Sequence, residues 1–519
     1  PEDATTIECD LAIVGAGAAG ITIARSFADG QVKVCLVESG GPEFEDETQA
    51  LYMGRNVGLP YFDLDVTRLR YFGGSTNHWE GRCRPLDPID LEARDWVPLS
   101  GWPIGYADLD PYYRQAQKVC KLAAFSYTPE PWVRDLQEVF PADAAKLVNR
   151  VWQYRPLRFG EVYRAELEAA ANIEVLLHAN LVEIETTEAG SLVTGVRLAT
   201  VDGKGLALRP RVVVLACGGL ETPRLLLASN RIVNVGLGNQ NDMVGRCFME
   251  HPNLSSGRAL VVGPEILNFY THGTGGARAG EVHIVGCINL SPETQRERQA
   301  LNFDALFTID HVGDSGYAAL RRIWNSAERA RWPDDLSGDL WQALIDPGDT
   351  VAGLLGRFGL REYRPDGASF RLWCTAEQAP NPDSRVLLGD EVDPLGLPRL
   401  RLDWRLSELD KHSFQVAHDT IAQELGRTGL GRLQVSDWVN EDLTSWPPNL
   451  EGGHHHLGTA RMSESAAQGV VDRHCRLHGV DNLYVAGSAV FPTGGSANPT
   501  LTIVALSLRL AGELQRRLA

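Results

Sequence analysis

Apolar and polar positions follow two different rhythms along these 519 residues. Three short runs, 10–14, 212–216 and 483–486, are apolar almost throughout. Such runs fit strands covered on both faces, as in a parallel sheet. Each leads through a glycine turn toward a helix-period segment, at 21–27, 221–228 and from 499 to the C-terminus. In the last segment Leu501, Val504, Leu508 and Leu510 recur at helical spacing. Pro499 suits the first helical position and makes Asn498 the expected N-cap. Another rhythm governs 384–407, where apolar and polar residues alternate in two runs joined by a Pro/Gly turn, the pattern of an antiparallel pair. Residues 313–360 are helical in pattern and rich in Trp and Arg; a lid, an oligomer contact and a partner surface all fit that composition.

Composition narrows the picture. Hydrophobic content of 44% and charged content of 22% are those of a globular chain able to bury a large core. A net charge of −18 argues against nucleic acid as a partner, because phosphate neutralisation needs a basic face. The nine cysteines are scattered, with no CxxC pair, so reduced buried thiols and a cytoplasmic setting are expected. No apolar run reaches the roughly 18–20 residues of a membrane span. The acidic N-terminus shows no signal peptide and leaves open a leader removed before residue 1.

The chemistry begins at Gly15-Ala-Gly17-Ala18-Ala-Gly20, which follows the first strand and opens a helix. A second strand at 32–37 ends in Glu38-Ser39. The first glycine allows the turn, the second lets a pyrophosphate approach the backbone, and the third lets helix pack on strand. Glu38 is placed to accept hydrogen bonds from ribose hydroxyls. This motif serves NAD and FAD alike. Gly73-Gly74-Ser75-Thr-Asn77-His78-Trp79 follows some 35 residues after the acid. It clusters hydroxyl, amide, imidazole and indole groups suited to a flat polar heterocycle. Ala216-Cys217-Gly218 ends another strand of the nucleotide sheet. Gly487-Ser488 and the loop running to Asn498-Pro499-Thr500 complete a C-terminal half-site, where a helix N-terminus would stabilise negative charge on a reduced flavin. These pieces imply an α/β fold. A discontinuous Rossmann-like FAD-binding domain is expected from residues 1–48, 66–95, 165–250 and 451–519. A substrate-binding domain of antiparallel sheet plus helices would take 96–164 and 251–450.

The run "EGGHHHLGTAR" places three adjacent histidines in the C-terminal half. His454 and His456 permit metal ligation by spacing, but no third ligand at suitable spacing accompanies them, and no metal is expected. The ordered set GAGAAG…E, GGSTNHW, VVVLACGGLETPRLLL, HHHLGTARM and LYVAGSAVFPTGGSANPTLTI resembles the glucose–methanol–choline (GMC) oxidoreductases, FAD enzymes that oxidise alcohols. The likeness runs from residue 10 to residue 518. "CRPLDPIDL" and "SGWPIGYADLDPYY" bring it nearest the bacterial sugar-oxidising branch of fructose dehydrogenases, glycoside 3-oxidases and pyranose 2-oxidases.

That resemblance implies a catalytic pair, the His of H-x-x-G-T and a second His or Asn in the C-terminal glycine loop. Here these are His455 and Asn498. If the segment is extended, His455 points opposite to His454 and His456, so a single face meets the cofactor. An imidazole is suited to removing a hydroxyl proton near neutral pH. The resemblance further implies a carbohydrate substrate, with O2 or an external acceptor taking the electrons. Glu377, Gln378 and His454 are candidates for gripping sugar hydroxyls. A Ser-Thr-His-Trp segment in pyranose 2-oxidases suggests a covalent flavin link at His78. Asn77 is inserted before that histidine here, so non-covalent FAD is the expectation, with the covalent link as its alternative. Glu250-His251-Pro252 is read as structural.

Overall fold

The protein is described from a computed structural model, which covers residues 5–135, 138–262, 264–271, 275–310, 315–328, 332–333, 335–357 and 369–519. Its first sheet has seven strands. Thr5–Val14 lies at the centre, parallel to Val34–Val37 on one side and to Gly205–Leu215 on the other. Ile173–Leu176 extends one edge in parallel. The long strand Gly205–Leu215 pairs at its N-terminal end with Val193–Ala199, which forms an antiparallel pair with Asn180–Thr186. At its C-terminal end it pairs in parallel with Leu483–Val485. The apolar runs are therefore the inner strands: Leu11–Ile13 and Val213–Leu215 have essentially no exposed surface. Helices Ala18–Arg25, Gly218–Ala228 and Thr500–Leu518 each follow a strand of this sheet. The parallel α/β architecture expected from the pattern is thus observed.

A second, antiparallel sheet of nine strands covers the other half. Its order runs Gly431–Val435, Pro252–Val261, Ser369–Ala376, Phe303–Asp310, Val282–Leu290, Leu147–Tyr154 and Arg82–Cys83. Arg82–Cys83, expected with the nucleotide-binding part, pairs instead with Leu147–Tyr154 here. The alternating segment after residue 384 forms Arg385–Val392 and Pro398–Asp403, antiparallel as expected. They build a separate three-stranded sheet with Arg55–Asn56 rather than joining the large one. The Trp-rich region contains helices Gly316–Glu328, Leu336–Ile345 and Pro347–Arg357; residues 313–314, 329–331, 334 and 358–360 of that region lie outside the described residues. Among the described residues no helix is long and apolar enough to cross a membrane.

Candidate active site

A cavity of ≈ 820 Å³ opens where the carboxyl ends of the parallel strands face the second sheet. Its volume is within the roughly 300–1,000 Å³ usual for cofactor and small-molecule sites. The cofactor residues expected from the sequence line it, except Gly20, Gly73 and Asn77. Those three shape the loops from behind. Gly20 packs on the backbone of Gly15, and the Asn77 side-chain N–H donates to the Phe72 carbonyl at 3.0 Å. Gly73 adopts φ +101°, a conformation that favours glycine.

The cradle fits the ADP half of FAD. Gly15 turns at φ +105°, and a methyl there would lie 2.6 Å from the Ala216 carbonyl oxygen. Space beside Gly17 is open, so a ligand can approach its backbone. Helix Ala18–Arg25 starts with no side-chain cap, leaving its first N–H groups for an anion. The buried Glu38 carboxylate accepts from the Ala16 and Gly40 amides at 2.9 and 3.0 Å, fixed at the end of its strand.

Helix Gly218–Ala228 begins three residues earlier than the spacing predicted, so Pro223 stands inside it. A proline lacks the N–H that would bond the carbonyl four residues back, at Gly219. The hydroxyl of Thr459 donates to that carbonyl at 2.6 Å, which pins the H-x-x-G-T segment to the nucleotide-binding half. Gly458 (φ +82°) completes the turn, with its amide on the Ser488 carbonyl. On the same helix Glu221 is buried among three guanidiniums, Arg224 at 2.8 Å, Arg70 at 3.4 Å and Arg68 at 3.5 Å. Burial alone would raise the Glu221 carboxyl, but Arg224, Arg70 and Arg68 hold it at about 2. Arg68 packs over the Tyr52 ring at 4.0 Å.

The three histidines do not alternate as strand residues. Glu451–Gly452 pairs with the start of Pro252–Val261, and Leu457 bridges Met249. Between those anchors two residues, Glu250 and His251, face four, from Gly453 to His456. The surplus pair bulges out, His454 takes φ +57°, and all three imidazoles line the cavity. The expectation that a single face of the segment meets the cofactor is therefore corrected. The buried Glu250 carboxylate stabilises the bulge by accepting from the amides of Gly453 (3.0 Å), His455 (2.9 Å) and His251 (3.1 Å), and from the Tyr61 hydroxyl. Burial pushes that carboxyl up to about 7 against those donors. His456 Nε2 lies 3.1 Å from the Tyr61 oxygen. His454 sits at the rim with its ring edge-on to Phe62. Burial holds His455 well below its ordinary value, with His251 and Arg82 adding to the effect. Among the described residues no group of three or more His, Cys, Asp or Glu is arranged to hold a metal.

Other expectations change. Asn498 does not cap the last helix: Pro499 occupies the cap position, and Asn498 Oδ1 is buried without a partner while the residue lines the cavity. Glu377 and Gln378 do not line the cavity. Glu377 forms a bidentate pair with Arg94 at 2.6 and 2.9 Å, and Gln378 accepts from Trp404 Nε1 and the Glu250 amide. Both are buried structural groups. Conversely, Glu250 and His251 lie against His455, although the sequence read them as structural. Asn253, Thr308, Trp373 and Thr375 line the cavity from the second sheet. Strand alternation would have grouped Trp373 with Thr375, but nothing local marked that face as the inner one.

Comparison with known proteins agrees with this geometry. Residues 380–507 match the family model described as GMC oxidoreductase, and 10–235 match FAD dependent oxidoreductase. The large subunit of fructose dehydrogenase from Gluconobacter japonicus is 24% identical, covering 98% of this chain and 97% of its own. C-glycoside 3-oxidase from Microbacterium trichothecenolyticum is 24% identical over 84% of this chain and 73% of its own. Pyridoxine 4-oxidase from Mesorbium loti shares the fold, with a TM-score of 0.57 at 17% identity over 98% of this chain and 99% of its own. With the dinucleotide cradle, the H-x-x-G-T loop and both domain matches in one chain, this protein joins a GMC oxidoreductase domain to an FAD dependent oxidoreductase domain, the pairing of an FAD-dependent enzyme that acts on alcohol CH–OH groups.

Proposed function

We propose that the enzyme oxidises a secondary alcohol of a sugar or glycoside to the keto-sugar, with His455 as general base and Asn498 as anchor for the substrate oxygen. The observation that carries this reading is the meeting of two groups in one cavity. His455 lines it beside the dinucleotide cradle, and Asn498 brings an amide oxygen with no protein partner. FAD, when bound, supplies the acceptor for the hydride leaving the carbinol carbon. His455 takes the hydroxyl proton at its uncommitted ring nitrogen, and a neutral imidazole is the form able to do so. The Asn498 side-chain N–H donates to the same oxygen as its C–O bond gains double-bond character, while Oδ1 is left for a neighbouring hydroxyl. Trp373 offers an apolar face to a pyranose ring, while Asn253, Thr308 and Thr375 offer hydrogen-bonding groups to its hydroxyls. His454, at the rim, is the remaining polar contact. Relatives named for fructose and for C-glycosides support the carbohydrate class. FAD is held without a covalent bond, and the reduced enzyme is reoxidised by O2 or by a separate acceptor.

Anaerobic stopped-flow with a panel of monosaccharides, glycosides, amino sugars, cyclitols and simple alcohols tests the reading. A sugar or glycoside should bleach the flavin band, and His455→Ala should slow bleaching about 10²–10⁴-fold with flavin retained. Fast reduction of the His455→Ala enzyme would refute the base assignment. Bleaching by simple alcohols alone would refute the carbohydrate class.

A further inference from the structure

We propose that His251 is the positioning residue that sets the tautomer of His455, so that His455 presents a bare Nε2 to the substrate hydroxyl. The inference rests on the reading of His455 as the base and concerns what prepares it. His251 Nε2 is 2.8 Å from the Gly495 carbonyl oxygen. A carbonyl only accepts, so that nitrogen carries the proton. His251 Nδ1 is 2.7 Å from His455 Nδ1. In a neutral imidazole with Nε2 protonated, Nδ1 is the acceptor, so the shared proton belongs to His455 Nδ1. The tautomer of His455 is then fixed by elimination: Nδ1–H toward His251, lone pair on Nε2.

Neutrality of His251 follows from its surroundings. The ring is fully buried, and its two nitrogens meet a carbonyl and another imidazole rather than a carboxylate. Burial drives it down to about 4. The neighbouring Glu250 carboxylate bonds the backbone amides of both histidines instead, which ties the two residues to a common anchor. Gly453 leaves the room required, since a methyl there would lie 2.7 Å from His455 Nδ1. Among the described residues no protein group hydrogen-bonds His455 Nε2, and the residue lines the cavity.

When His455 accepts the substrate proton at Nε2, its Nδ1–H still donates to His251. The new charge is stabilised by a neutral, oriented acceptor, the role a carboxylate plays in other His-centred sites. A neutral partner orients the base without raising its affinity for protons as strongly as a carboxylate would.

Two substitutions separate the two nitrogens of His251. His251→Gln can keep an N–H toward Gly495 but loses the acceptor at the Nδ1 position; His251→Asn places an amide oxygen near that position. The ¹⁵N imidazole spectrum of histidine-labelled holoenzyme, with His455 assigned by its loss in His455→Gln, should show a protonated Nδ1 and a bare Nε2. In His251→Gln the Nε2–H form should appear and kcat should fall about 10²–10⁴-fold with KM little changed. His251→Asn should recover most of kcat and the wild-type tautomer. A wild-type spectrum with Nε2 protonated overturns the proposal. So does a His251→Gln enzyme as fast as wild type, or equal damage from Asn and Gln. The wild-type spectrum needs no substrate, and the His455→Gln variant that assigns it need only fold, not turn over. If His455→Ala turned over normally, the base assignment would fail while the spectrum still decided the tautomer.

Discussion

Replacing Glu221 by Gln tests how the crossover helix is held against the cofactor cavity. The carboxylate is buried and is the counter-ion shared by Arg224, Arg70 and Arg68. Its folded pKa of about 2, against the ordinary 4.5, corresponds at about 1.36 kcal/mol per pKa unit to about 3 kcal/mol of stability at pH 7. Because the folded value is the lower one, this contribution is fully present above 4.5. It is lost as pH falls through 4.5 toward 2. Glutamine preserves the volume and one acceptor but removes the charge, taking away the carboxylate paired with Arg68 and Arg70 while Arg224 keeps Asp393. Urea unfolding of the holoenzyme, followed by far-UV circular dichroism, should show Glu221→Gln about 3 kcal/mol less stable at pH 7, in line with the roughly 3–5 kcal/mol for breaking a buried pair. The gap should narrow to about 2.5 kcal/mol at pH 4. A variant within about 1 kcal/mol of wild type at pH 7 would refute the reasoning. So would a gap that widens as pH falls.

Gly15→Ala should abolish FAD retention, because the methyl meets the Ala216 carbonyl in a positive-φ turn; 450 nm absorbance after gel filtration reports it, and a yellow variant would count against the cradle. Glu250 runs in the opposite sense to Glu221. Its folded pKa of about 7 lies above 4.5, so its contribution to stability is present below 4.5 and lost as pH rises through about 7. Catalysis should respond the other way. Protonation below about 7 puts a proton on the Glu250 oxygen facing the Tyr61 hydroxyl and weakens the carboxylate's hold on the His455 and Gly453 amides, so flavin reduction should slow on the acid side of 7, and a rate flat from pH 8 to pH 5 would contradict this. Acid precipitation should leave the flavin in the supernatant, and colour in the pellet would indicate a bond at His78.

How much of this was legible in the sequence depended on how local each determinant is. The strand–GxGxxG–helix–Glu38 unit could be read directly, because turn, helix start and acid lie within some thirty residues and each enforces the others. The histidine run could not, since its bulge is created by a carboxylate about two hundred positions earlier. Glu377 and Gln378 looked like ligand-binding groups by type, yet their partners Arg94 and Trp404 come from distant segments, and those pairings turn both residues inward. Pro499 makes Asn498 look like a cap; the helix starts one residue later than that proline suggests, and the amide is left for the cavity. Alternation alone does not reveal which face of the second sheet lines the cavity, so Trp373 and Thr375 carried no local sign of their place.

The strand Leu483–Val485 closes a sheet whose central strand begins at residue 5, and helix Thr500–Leu518 packs against both Ala18–Arg25 and Tyr106–Val119. A chain in which residue 483 and those after it are not yet in place lacks that strand, that helix and Asn498. The dinucleotide loop can form early, but the second half of the cofactor cavity cannot. The second half of the cofactor cavity therefore waits for residues 483–500, and chains truncated before residue 483 are expected to accumulate as colourless, protease-sensitive species rather than as weakened enzymes.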